Sequence, residues 1–99
     1  MRCENIHQVF NLAADIIEHN GHIKGIFTDK DTGACCLVGA VYVACDELGV
    51  PRDGAVHLIV SEFETVTGNT RGPYLWNDAP ERTPQEVISV LRQIAERSK

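Results

Sequence analysis

Four cysteines and four histidines are the residues whose types could support nucleophilic or metal chemistry. Cys35 and Cys36 stand at the expected start of an apolar helix, where free backbone amides and the helix dipole stabilise a thiolate. His22 or His57 would then serve as the base of a Cys–His pair. A buried cysteine that packs as a small apolar side chain explains the same residues, and no nucleophile motif surrounds them. A thiol-dependent enzyme or binder is therefore the alternative prediction, and no catalytic residue is assigned.

A metal site would draw on the same residue types. The candidate ligands are Cys3, His7, His19, His22, Cys35, Cys36, Cys45 and His57. No Cys-x-x-Cys pair occurs, and His19 and His22 lie on either side of an expected helix end. Asp29 and Asp31 loosely resemble the start of a calcium loop, but its twelfth position is Ala40 rather than glutamate. We predict no metal and, because the sequence has no glycine-rich phosphate loop, no cofactor.

The tripeptide Trp76-Asn77-Asp78 and the nearby Tyr74 form the one local cluster that we single out for function. In the structural interpretation, Trp76 packs on the central helix while Asn77 or Asp78 caps a turn. In the functional interpretation, Tyr74 and Trp76 form an aromatic contact surface beside a loop, which Phe63 could extend. The predicted binding residues are Tyr74, Trp76, Asn77 and Asp78.

Length and charge narrow the function classes. The chain has 99 residues, the size of one domain, and we predict a single domain over residues 1–99. Its net charge of −5 makes it acidic, and its nine Lys and Arg residues are scattered, which argues against nucleic-acid binding. The longest apolar run, residues 34–45, is too short for a bilayer, which needs about 20 residues. A polar N-terminus predicts no signal peptide, so we expect a cytoplasmic protein with reduced cysteines.

Apolar periodicity predicts a mainly α fold. About four helices, over residues 5–20, 36–48, 53–66 and 83–97, would surround the central apolar helix at 36–48. A strand stays open as an alternative for residues 55–66, which are rich in β-branched side chains. Thr83 and Glu86 form a capping box that begins the last helix.

The remaining segments connect these helices. A short β-hairpin is expected over about residues 23–36, with its turn at Asp29–Gly33. Residues 67–75 are expected to be a mobile loop, and residues 76–82 one short helical turn that begins at Asp78.

Three of these pieces together resemble a known family. They are Gly25 to Gly33 leading into Cys36-Leu37-Val38-Gly39-Ala40, then Trp76-Asn77-Asp78, then the Thr83-Pro84-Gln85-Glu86 helix start. This order is similar to a family of short uncharacterised proteins of bacteria and bacteriophages with Cys-x-x-Gly-Ala and Trp-Asn-Asp motifs, and it spans about residues 9–95. The resemblance implies a mostly helical single domain and a phage or prophage setting. It implies no reaction, ligand or catalytic residue.

The sequence thus predicts a non-enzymatic protein-interaction or regulatory module. Its partner would be an unidentified protein rather than nucleic acid or a membrane. A homodimer is also expected as an option, because a short chain gains core by self-association.

Overall fold

The computed structural model describes residues 3–98, with side chains from residue 6 onward. Its helices are α1 (Cys3–Asn20), α2 (Leu37–Leu48), α3 (Arg52–Thr67), α4 (Pro73–Asp78) and α5 (Pro84–Arg97). The predicted mainly α class is confirmed, and α3 decides between the helix and strand alternatives for residues 55–66. None of the helices in the described part of the chain has both the length and the hydropathy that a transmembrane span requires.

Local sequence signals set the ends of several helices. The capping box at the start of α5 is present: Thr83 Oγ1 accepts from the Glu86 amide at 3.2 Å, and the Glu86 carboxylate accepts from the Thr83 amide at 2.9 Å. Helix α2 ends at Gly49, whose positive φ of 69° is a conformation that glycine adopts without steric cost. These boundaries follow from the chemistry of a few residues and need no tertiary contact.

The sequence had led us to expect that all the other helices pack around α2, but they do not. Helix α1 packs on α2 and α5, while α5 packs on α1 and α3. The buried Leu91 and Ile94 of α5 join the core formed with α1, and Arg92 binds Asp15 of α1 at 2.7 Å. Two helices therefore share the centre. The reason is that α1 also has a broad apolar stripe, which needs a cover on two sides.

The expected hairpin over about residues 23–36 is not formed as two strands in the described part of the chain. Its turn is present, with the Gly33 amide bonded to the Asp29 carbonyl at 2.8 Å. Beyond the turn there are only two isolated bridges, both to Cys35: a parallel one from His22 and an antiparallel one from Thr28. A continuous ladder fails because Cys35 is shared by two different stretches of chain, which are separated by a loop.

Helix α4 lies earlier than expected. Residues 73–75, predicted as loop, form its first turn, and the helix ends at Asp78, where a turn had been expected to begin. Pro73 suits the first helical position, because its missing N–H would have no intrahelical partner there. Pro80 disfavours a helical conformation at Ala79, which is extended with a ψ of 138° and ends the helix.

A close backbone contact holds the loop at residues 25–28 against α2. The Cys36 amide donates to the Phe27 carbonyl at 3.0 Å. A Cβ atom on Gly39 would lie 2.1 Å from that same carbonyl oxygen, so only glycine fits at this position of the helix. The glycine of the Cys-x-x-Gly-Ala sequence therefore lets the loop lie directly on the helix.

Replacement of this glycine should destabilise the protein. A Gly→Ala change in an open helix interior gains about 1 kcal/mol. For Gly39→Ala we expect the opposite sign, a loss of roughly 1–3 kcal/mol, because the loop must move away from the new methyl group. Urea unfolding of the variant and the wild type measures this difference. A stabilised variant would contradict the close contact.

Candidate functional site

Three segments that are distant in sequence meet at a cleft of about 320 Å3. The loop before the turn, the start of α2 and helix α4 each supply part of its wall. The lining residues are Gly25, Ile26, Phe27, Cys36, Val38, Pro73, Tyr74, Asn77 and Asp78. Of the four predicted binding residues, Tyr74, Asn77 and Asp78 line this cleft, and Trp76 does not. Two pieces of the resemblance, Gly25 to Ala40 and Trp76-Asn77-Asp78, lie in these segments, whereas the third, Thr83 to Glu86, begins α5 outside the cleft.

The side-chain amide of Asn77 joins these segments. Only 2% of Asn77 is exposed. Its Oδ1 accepts from the Leu37 amide at 3.0 Å and from His22 Nε2 at 2.7 Å, while its Nδ2 donates to the Ile23 carbonyl at 3.3 Å. The Leu37 N–H can only donate, so it fixes which way the amide faces, and His22 must then carry its hydrogen on Nε2. Asn77 thereby satisfies one of the free amides at the buried start of α2.

Asp78 connects α4 to the loop at the polar end of the cleft. Its Oδ1 accepts from the Gly25 amide at 3.0 Å and from Asn77 Nδ2 at 2.9 Å. These two hydrogen bonds lower the pKa of the Asp78 carboxyl below its ordinary value, and the bond from Asn77 has the larger effect. Asp78 is exposed to solvent and therefore carries a full negative charge at neutral pH. Lys24 reinforces the same junction by donating to the Ala79 carbonyl at 2.7 Å.

Trp76 lies in the core behind the cleft, with 7% of its surface exposed. Its ring meets that of Phe63 edge to face, with the centroids 5.5 Å apart. The Arg82 guanidinium stacks 3.9 Å from the Trp76 ring centroid and donates to the Trp76 carbonyl at 2.8 Å. Phe63, which we had expected to extend a contact surface, is also buried. The contact role of Trp76 stays a prediction.

An exposed apolar rim surrounds the mouth of the cleft. The exposed fractions are 53% for Ile26, 48% for Phe27 and 51% for Tyr74. The Phe27 ring centroid lies 6.0 Å from that of Tyr74 and 5.7 Å from that of Tyr42 on α2. Sequence reasoning found Tyr74 but missed Ile26 and Phe27, which it assigned to a hairpin. Two adjacent bulky apolar residues directly after a glycine were the signal that could have revealed them.

The thiol of Cys36 lines the cleft but acts as a helix cap. Its Sγ accepts from the Gly39 amide at 3.2 Å. Burial raises the pKa of the Cys36 thiol, and the hydrogen bond from Gly39 works in the opposite direction with a smaller effect. Cys35 is buried and its Sγ donates to the Gly33 carbonyl at 3.4 Å.

The two histidines named as bases are placed differently. His22 is bonded to Asn77, and His57 is exposed on α3. Among residues 6–98, neither histidine forms a hydrogen bond with Cys35 or Cys36. The arrangement does not place a base on either thiol.

The described residues contain no group of three or more His, Cys, Asp or Glu side chains that could hold a metal ion. The side chain of Cys3, one of the candidate ligands, lies outside the described part of the chain.

The fold and the cleft define a small, mainly α-helical domain with a partly apolar surface cleft. The chain belongs to a family of unknown function, DUF6197, whose family model matches residues 1–97. No curated protein and no solved structure was found to match. The resemblance to an uncharacterised family is confirmed to this extent, and the bacterial or bacteriophage setting stays a prediction.

Asn77→Leu should lower the free energy of unfolding by about 3 kcal/mol. The apolar side chain has a similar size, but it leaves the Leu37 amide and the Ile23 carbonyl without a partner, at roughly 1–3 kcal/mol for each buried group. Urea unfolding measures the loss. Asn69→Leu is the matched control, because Asn69 Oδ1 accepts one exposed hydrogen bond from the Arg71 amide. Equal small losses for both variants would contradict the role given to Asn77.

Cys36 should react as a weak nucleophile at neutral pH. Since burial raises the pKa of this thiol above that of a free cysteine, it stays protonated at pH 7. Timed alkylation with iodoacetamide from pH 6 to 10, with the modified residue located by tandem mass spectrometry, gives the midpoint. A midpoint below that of free cysteine would instead support the thiol-dependent alternative.

Proposed function

We propose that this protein is an interaction module that binds a protein partner through the cleft and its rim of Ile26, Phe27 and Tyr74. The observation that carries the proposal is that rim, because three large apolar side chains stay about half exposed around one concavity. Aromatic side chains beside a pocket are the usual anchors of protein interfaces. The cleft volume lies at the small end of the range for ligand sites, about 300–1,000 Å3.

The cleft is built before any partner arrives. Asn77 bonds the walls to one another, and Asp78 holds the loop amide of Gly25. The Phe27 backbone is held on α2 by its bond to the Cys36 amide. A preorganised site loses less conformational entropy on binding, so even a small contact area can give measurable affinity.

The thiol-dependent alternative is the weaker proposal. It has one point in its favour, since Cys36 borders the same cleft. Against it stand the raised pKa of Cys36 and the engagement of His22 with Asn77. We also propose that the module is regulatory, acts in the cytoplasm and belongs to a phage or prophage. These properties are compatible with binding of a protein partner at the cleft.

A photo-crosslinking amino acid placed at Tyr74 should capture a partner in the cell that encodes the protein. We expect one or a few discrete crosslinked products when benzoylphenylalanine replaces Tyr74. The same replacement at Val60 is the matched control, because Val60 is an exposed apolar residue of α3, with 72% of its surface exposed, and does not line the cleft. Mass spectrometry of the crosslinked bands identifies the products.

Phe27→Ser then tests whether the captured product depends on the rim. This change removes an exposed apolar ring, so the fold should persist, which circular dichroism checks. The products at position 74 should disappear in this variant. The same products at positions 60 and 74, or products that persist when Phe27 is replaced, would contradict the proposal.

A further inference from the structure

At the polar end of the cleft, only one of the two oxygens of the Asp78 carboxylate accepts hydrogen bonds from the described residues. Both hydrogen bonds recorded for Asp78 end on Oδ1, from the Gly25 amide and from Asn77 Nδ2. Within the described residues, Oδ2 accepts no hydrogen bond, and no Lys or Arg nitrogen forms an ion pair with this carboxylate. An exposed carboxylate oxygen thus stands beside an apolar concavity.

The basic groups near the cleft have other partners. The Lys24 ammonium donates to two backbone carbonyls, at 2.7 Å to Ala79 and 3.3 Å to Pro80. The Arg52 guanidinium lies 4.6 Å from the Tyr42 ring centroid and bonds to Asp46 at 2.7 Å. Lys24 and His22 contribute positive potential at Asp78 without bonding to it. Asp78 is the one charged side chain among the residues that line the cleft.

The size of the apolar rim favours a short segment over a second copy of this chain. Large side chains can bury 150–250 Å2 each, so three that are half exposed offer about 300 Å2. A stable interface between proteins needs about 800 Å2 on each partner. A short peptide with one bulky side chain matches the area and the cleft volume of about 320 Å3.

Building on the proposed function, we propose that the partner presents a short segment in which a bulky apolar side chain lies next to a Lys or Arg. The apolar side chain enters the cleft and packs against the touching rings of Phe27 and Tyr74, and the adjacent cation pairs with the Asp78 carboxylate. The net charge of −5 also favours the approach of a basic segment.

Matched blocked dipeptides test this recognition directly. The probes are acetyl-Phe-Lys-amide, acetyl-Phe-Gln-amide and acetyl-Phe-Glu-amide, which carry a positive, a neutral and a negative side chain beside the Phe residue. Titration into the full 15N-labelled chain is followed by NMR, with the Gly25 and Asp78 amides as reporters of the cleft. We expect acetyl-Phe-Lys-amide to bind about threefold more tightly than acetyl-Phe-Gln-amide, as for an exposed ion pair, and acetyl-Phe-Glu-amide to bind most weakly. The preference should shrink when salt is added.

Asp78→Asn is the decisive variant. Its side-chain oxygen can still accept from the Gly25 amide and from Asn77, so the cleft is kept while the charge is lost. The three dipeptides should then bind with equal affinity. Asp31→Asn is the matched control, because it removes one charge from the exposed turn, away from the cleft, and should leave the preference unchanged.

Several outcomes would overturn the inference. If the wild type binds the three probes equally, the pairing of a cation with Asp78 is refuted. If Tyr74→Ser also abolishes that binding, the cleft itself remains the binding site. If no probe binds, or if the NMR shifts are confined to other surfaces, the claim that a short peptide segment binds in the cleft is refuted. The photo-crosslinking experiment then tests separately whether the cleft binds a protein partner. A dimer in light scattering that Tyr74→Ser dissociates would make a second copy the occupant and would also overturn the inference.

Discussion

The hydrogen bond from the Leu37 amide to the side chain of Asn77 is the contact on which the arrangement of the cleft depends. Helix α2 begins in the interior, where water cannot satisfy its first amides, and an unpaired buried N–H is costly. Cys36 Sγ accepts a hydrogen bond from the Gly39 amide, and Asn77 Oδ1 accepts one from the Leu37 amide. Because Asn77 comes from α4, 40 residues further along the chain, satisfying one helix also fixes the position of another.

A second constraint acts on the opposite wall of the cleft. Gly39 has no Cβ atom, so the Phe27 carbonyl can approach the helix at that point. The loop backbone then lies directly on α2, while the side chains of Ile26 and Phe27 stay about half exposed at the cleft. Glycine in a helix interior costs stability, and here the close contact offsets that cost.

Some of these features could be predicted from the sequence, and others could not. Thr83, Pro84 and Glu86 were enough to locate the start of α5, because capping acts through neighbouring residues. Asn77 and Asp78 were recognised as residues that could cap something, but which amides they would bind could not be read from the sequence. Their partners belong to segments about 40 to 55 residues away, and no local pattern encodes such a distance. The missed rim residues, Ile26 and Phe27, have β propensity, which a loop around Gly25 overrides.

The sequence by itself determined the helical class, the apolar character of α2 and the start and end signals that residues such as Thr83 and Gly49 provide. These are local properties, since a 3.6-residue period and a capping side chain act within one or two turns. Only the tertiary structure decided that α1 and α2 share the centre, that Trp76 is buried while Tyr74 is exposed, and that three distant segments form one cleft. The physical reason is that burial and hydrogen-bond partners depend on which segments pack together, and this is settled by the whole chain at once.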